Sequence, residues 1–85
     1  MNLEEKVIDG DEIVRNVMYE AITRVFQSET DQKLIAQQIR ERLEEKDPGK
    51  WNVILGKDFS SHVVHVSKRY GYWKLGELYI LIWQS

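Results

Sequence analysis

The tripeptide Asp47-Pro48-Gly49 divides this sequence into two stretches of different period, and that division decides what the chain can build. The residue before a proline avoids the helical region and glycine supplies a turn, so no helix runs through this point. Ahead of it, the apolar residues between Asp11 and Gln27 fall in two columns: Ile13, Val17, Ala21, Val25 and Val14, Met18, Ile22, Phe26. This is the wide stripe of a helix packed on a core. Asp9 with Glu12 resembles a capping box and Asp11 is a rival cap; either starts the helix near residue 10 to 12. A second helix is announced by Ser28-Glu29-Thr30-Asp31, with Thr30 as the expected N-cap, and continues through Leu34, Ile35, Ala36, Ile39 and Leu43. Its opposite face, Lys33, Gln37, Arg40, Glu41 and Glu44, reads as solvated surface.

Beyond Pro48 aromatic and β-branched residues take over and period two replaces the helical period. Strands are expected over residues 51–56, 59–66, 69–75 and 78–84. Lys57-Asp58 and Gly76-Glu77 are the tight connections, and Gly76-Glu77, between two apolar runs, is the clearest hairpin signal. Val7-Ile8 is expected to add a short first strand. Connections this short make the sheet antiparallel, and helices followed by strands predict a single α+β domain over residues 1–85, two helices packed on an antiparallel β-sheet.

The run Leu78-Tyr79-Ile80-Leu81-Ile82-Trp83 is apolar on both faces, whereas a two-layer domain covers only one. A second copy of the chain would cover the other; a loop folded over the strand end is the alternative. Size points to the second copy. A chain of 85 residues buries little more than ~60% of its unfolded surface, and with no cysteine it has neither disulfides nor thiolate zinc sites to support it. The opening Met1-Asn2-Leu3-Glu4-Glu5 has neither a basic nor an apolar targeting region, and no apolar run approaches ~18 residues, so a soluble, intracellular, cytoplasmic protein without membrane contact is expected. Charge is unevenly spread. Residues 1–47 carry 7 Lys/Arg against 12 Asp/Glu, and residues 48–85 carry 5 against 2.

No enzyme emerges from the residue pattern, and no cofactor or metal is implied. His62 and His65, three apart on one expected strand, point to opposite faces and cannot share a metal. Ser60 and Ser61 adjoin them without a nucleophile elbow. Gly56, Gly71 and Gly76 are far from a phosphate-cradling pattern, and Glu4-Glu5 and Glu44-Glu45 are solvated charge at element ends. Two binding readings follow. Tyr70, Tyr72 and Lys74 share a strand face and, with Lys68 and Arg69, could stack and neutralise single-stranded nucleic acid, although the net charge of −2 makes nucleic acid an unfavoured partner. The alternating Phe59-Ser60-Ser61-His62-Val63-Val64-His65 reads as a half-exposed strand whose edge could pair with an extended peptide.

The stretch Trp51-Asn52-Val53-Ile54-Leu55-Gly56-Lys57-Asp58-Phe59-Ser60-Ser61-His62-Val63-Val64-His65, followed by Tyr70-Gly71-Tyr72-Trp73-Lys74-Leu75-Gly76, resembles the eight-kilodalton cytoplasmic dynein light chain family. The helices fit in order, so the resemblance covers nearly the whole chain. It implies a strand-swapped two-fold homodimer, with Asn52, Phe59, Ser61, His62, Val63 and Val64 at the interface. It also implies two grooves that take extended peptides, often with a Thr-Gln-Thr core, by strand addition. Asp58, Phe59, Ser60, Ser61, His62, Val63, Val64 and His65 are then the pairing strand, Gln32 and Lys33 receive the peptide's glutamine, and Tyr70, Tyr72 and Lys74 form the wall. The implied partners are the dynein intermediate chain and other disordered chains, and the implied setting is the cytoskeleton, in a cytoplasmic or axonemal motor. A dimer with blocked grooves, purely structural, is the alternative. With Thr30 as cap, Lys33 is the third helical residue, a cation at the positive end of the helix dipole, unfavourable by roughly 0.3 to 1 kcal/mol. This chain departs from the family pattern at Ser60 (glycine there), His62 and Lys74 (tyrosine), Val64 (threonine) and Asn52 (a histidine whose protonation opens the dimer).

Overall fold

The computed structural model describes residues 2–57 and 69–84. In chain order the elements are β1 (Leu3–Asp9), α1 (Glu12–Ser28), α2 (Gln32–Lys46), β2 (Trp51–Gly56), β3 (Tyr70–Leu75) and β4 (Leu78–Gln84). All described strand pairs are antiparallel, and the four-stranded sheet has the order β1-β3-β4-β2. The α+β architecture read from the sequence is therefore the observed one. The expected strand over residues 59–66 lies outside the described residues.

α1 begins at Asp11, not Asp9. The Val14 amide donates to the Asp11 carboxylate at 2.9 Å, while Asp9 ends β1. Val14, Met18, Ala21, Ile22 and Val25 bury the helix against the sheet. The expected stripe holds except at its first residue: Val17 and Phe26 pack against the core at partial burial, while Ile13 is 72% exposed. α2 is capped by Asp31, not Thr30, with the Lys33 amide donating to the Asp31 carboxylate at 2.9 Å. Asp outcompetes Thr here because a carboxylate both accepts from the free amide and offsets the dipole. Lys33 is thus the second helical residue. Ile35, Ile39 and Leu43 complete the helical side of the core.

β1 is a full seven-residue strand rather than the dipeptide Val7-Ile8. The register with β3 shifts between Glu5 and Val7, so Lys6 is the extra residue of a bulge. Glu4, Glu5 and Lys6 hide the strand from any periodicity reading, yet charge on an edge strand is what discourages unwanted pairing. Glu5 reaches Arg15 of α1 at 2.5 Å.

Between β3 and β4 the connection turns at Gly76, whose φ of +62° favours glycine. That hairpin puts Leu75 opposite Leu78 and fixes every later pair. Trp73, Leu75, Ile80, Ile82 and Trp51 face the helices and are buried. The register puts the opposite face in rows: Asp9-Tyr70-Trp83-Asn52, Val7-Tyr72-Leu81-Ile54 and Glu4-Lys74-Tyr79-Gly56. β4 is apolar on both faces because it is a central strand with a layer's worth of apolar side chains on each side.

Candidate functional site

Two concavities bracket the β2 side of the sheet. The first, about 520 Å³, lies where the exposed face of α2 meets β2, with Lys33, Gln37 and Arg40 on the helix side and Asn52, Ile54 and Trp83 on the sheet side. β2 is the edge strand of the described sheet, so this hollow runs along a sheet edge rather than over its middle. Ile54 is 42% exposed there. The side-chain Nδ2 of Asn52 donates to the Trp83 carbonyl at 3.4 Å across the β2-β4 pair.

The second, about 580 Å³, lies at the Gly76 end of the sheet, between Gln32 at the start of α2, Lys57 just past β2, and Lys74, Glu77 and Tyr79 of the hairpin. The Lys74 ammonium stands 5.5 Å from the centre of the Tyr79 ring, and Tyr79 stacks on Tyr72 with centroids 5.3 Å apart. A cation over an aromatic face is held by the ring quadrupole, which fixes an otherwise mobile lysine.

Of the expected site residues, Gln32 and Lys74 come together in the second hollow, whereas Lys33 belongs to the first. Tyr70 and Tyr72 lie on the sheet face away from the helices and are buried, Tyr70 to 1% exposure. Asp58, Phe59, Ser60, Ser61, His62, Val63, Val64 and His65, the core of the expected pairing strand and of the expected dimer interface, lie outside the described residues. So does Lys68 of the nucleic-acid reading. Arg69 of that reading is occupied: its guanidinium pairs with Asp47, donates to Gln84 Oε1 at 2.8 Å and lies 5.9 Å from the Trp51 ring centre.

The sequence reading missed Tyr79, Lys57 and Trp83. For Tyr79 the signal was present, since a hairpin turning at Gly76-Glu77 puts Tyr79 directly opposite Lys74. Trp83 follows by the same count, opposite Tyr70 and Asn52. Among the described residues no three acidic or histidine side chains group to hold a metal ion, and no helix is long and apolar enough to cross a membrane.

Comparison with known proteins covers almost the same span as the fold. The family model described as dynein light chain type 1 matches residues 6–85. Among solved structures, the dynein light chain-like domain of a Fasciola hepatica calcium-binding protein superposes with a TM-score of 0.72 in its native crystal, at 16% identity, covering 99% of this chain and 91% of that one. Its mercury derivative gives 0.71, also at 16% identity, covering 100% and 93%. At that identity the likeness is one of fold.

Proposed function

This chain belongs to the dynein light chain type 1 family, and from that premise we propose that it is a non-catalytic homodimer whose two grooves bind extended peptides by β-strand addition. The observation that carries the reading is the hollow of about 520 Å³ between α2 and the edge strand β2. Strand addition needs an edge, and a groove needs a second wall; α2 supplies that wall, with Lys33 at its first turn.

Connectivity leaves room for a crossing strand. β2 and β3 both run antiparallel to β4, hence parallel to each other, so the chain leaves β2 at Gly56 and must regain the far end of the sheet at Tyr70. A six-residue strand spans about 20 Å at 3.3 Å per residue, and residues 57–69 suffice for a return of that length as a strand. In the proposed dimer, residues 59–65 of one protomer pair with β2 of the other and offer the outer edge to the peptide.

Energetics favour bivalent partners. About four to six strand-pairing hydrogen bonds, each worth roughly 0.5 to 1.5 kcal/mol, are largely offset by ordering a flexible peptide, so one groove binds moderately. Two grooves engaging a dimeric partner add roughly 10² to 10⁴ in apparent affinity. The role we propose is to clamp two copies of a disordered chain side by side, the dynein intermediate chain in a microtubule motor being the partner the family suggests. The test is sedimentation of the protein followed by an amide NMR titration with a Thr-Gln-Thr peptide. A dimer with saturable shifts at Lys33, Asn52 to Ile54 and residues 59–65 is the expected result. A monomer at high concentration, or a dimer that ignores the peptide at millimolar excess, overturns the reading.

A further inference from the structure

We propose that the second hollow selects peptides carrying an anionic side chain, so that the groove of this protein reads acidic or phosphorylated segments. The inference rests on the peptide-binding reading above and adds the chemistry of the ligand. Two ammonium groups, Lys57 and Lys74, border a space of about 580 Å³ with Gln32, the first residue of α2, beside them. Among the described residues the ion pairs are Lys6 with Glu4, Arg15 with Glu5, and Arg69 with Asp47, and neither lysine takes part in one. Glu4 lies opposite Lys74 in the β1-β3 register, yet its carboxylate sits 3.5 Å from the Lys6 ammonium. The acids at the α2 start are also engaged: Asp31 caps Lys33, and Glu29 accepts from the Thr30 and Asp31 amides. Among the described residues that line the hollow there are two cations and one carboxylate, Glu77 on the hairpin turn.

Lys74 is half-buried on the sheet face, held over Tyr79, which itself stacks on Tyr72. A lysine fixed in this way loses less side-chain freedom on pairing with an anion than a free surface lysine does. Lys57 is exposed and follows β2 directly, on the strand end that the proposed crossing segment leaves. An anionic side chain of a bound peptide that reaches the Gly76 end of the sheet therefore meets both cations. Glu77 opposes it from the turn, which restricts the favourable position to the space between the lysines.

The experiment is calorimetry on the full chain with otherwise neutral Thr-Gln-Thr peptides in which a single glutamate, and then a phosphoserine, is moved position by position. At one position glutamate should bind about two- to fivefold tighter than glutamine, and phosphoserine tighter still, with the advantage shrinking at high salt. Lys57→Gln should remove most of that advantage while leaving the neutral peptide within about twofold, Lys74→Gln should collapse the ratio of glutamate to glutamine binding, and Glu77→Gln should enlarge it. Lys57 is exposed, so its variant keeps the test open even if Lys74→Gln folds poorly. If the neutral peptide binds and no position prefers an anion, this inference fails and the groove reading stands. If no peptide binds, both fail. Competition by a single-stranded oligothymidylate, lost in Lys74→Gln, would overturn the assignment to peptides.

Discussion

Replacing Gly71 by alanine tests how tightly the sheet is seated on α1. A Cβ at this position would stand 2.6 Å from Met18 Sδ, 2.6 Å from Trp73 Nε1 and 3.1 Å from Ile8 Cδ1. Comfortable separations for such atoms are about 3.5 to 4.0 Å, so one methyl group collides with α1, β3 and β1 at once. The backbone itself is no obstacle, since the positive-φ glycines are Gly10, Gly49 and Gly76. The three neighbours differ in their freedom to retreat. Trp73 is a rigid ring at 0% exposure, so its packing leaves it nowhere to turn, and its buried indole N–H has no acceptor among the described residues. Met18 is also fully buried, but its thioether can change rotamer. Overpacking of this kind costs about 1 to 3 kcal/mol, of which roughly 0.4 to 1 kcal/mol returns through the stiffer unfolded chain. At 4 to 8 °C per kcal/mol for a domain of this size, Gly71→Ala should lower Tm by about 5 to 15 °C at fixed protomer concentration. Met18→Ala alone should cost about 2 to 5 kcal/mol by leaving a cavity. In the double variant the new methyl group occupies part of that cavity, so the combined loss in urea unfolding should fall short of the sum by about 1 kcal/mol or more. Additivity within about 0.3 kcal/mol, or a Gly71→Ala protein as stable as the parent, would refute the argument.

Three further outcomes follow from single contacts. Arg69→Gln removes the group that ties the start of β3 to Asp47 at the end of α2 and to Gln84 of β4, and should lower the urea midpoint by the equivalent of about 1 to 2 kcal/mol with the m-value unchanged. Asp31→Ala should cost about 0.5 to 2 kcal/mol and Thr30→Ala under about 0.5, the reverse order being incompatible with the Asp31 cap. Because Asn52 does not titrate, Asn52→His should make the proposed dimer weaken more steeply than the parent as pH falls through about 6.5 and the added imidazole gains charge, His62 and His65 being common to both; sedimentation of both proteins between about pH 7 and 5.5 checks it.

Period and punctuation were enough for the architecture, and they failed where charge or competition overrode them. β2 and β4 were legible to the residue because Gly49, Gly56 and Gly76 bound runs of β-branched and aromatic residues. β1 was not, since its middle is Glu4-Glu5-Lys6 and only pairing with β3 makes it a strand. At α2, Thr30 and Asp31 are both competent caps, and no periodicity argument separates neighbours in sequence. Period alone puts Ile13 in the core, yet it is 72% exposed while its neighbour Val14 is buried, because period marks a face and not where along the helix the cover ends. The site was less legible than the fold because it joins distant residues: Lys57, Lys74 and Gln32 meet only once the sheet order β1-β3-β4-β2 is known. The crossing strand and the swap came from family resemblance and not from any pattern in composition or spacing.

In the reading proposed here, dimer and groove have one physical origin, and Ile54 tests it. A two-layer domain of 85 residues leaves the row Val7-Tyr72-Leu81-Ile54 on the sheet face that the helices do not cover, with Ile54 at the β2 edge 42% exposed. A second copy would cover Ile54 at that edge and, along β2, supply a strand for it. A strand added there would lie beside α2, so the act of dimerising would also build the floor of the groove against the wall that carries Lys33. Ile54→Lys puts a charge at that junction in both protomers. Since the side chain is already partly in water, the variant should stay folded, with helix content unchanged and a stability loss to the folded protomer of about 0.5 kcal/mol or less. Burying an unpaired ammonium at the interface costs several kcal/mol, so dimer affinity should fall by about 10²-fold or more. Peptide binding should be lost over the same range of protein concentration, because a lone protomer has no added strand to present. A folded, monomeric Ile54→Lys protein that still bound Thr-Gln-Thr peptides with undiminished affinity would mean that the groove is complete within one chain, and the crossing strand would have to be abandoned.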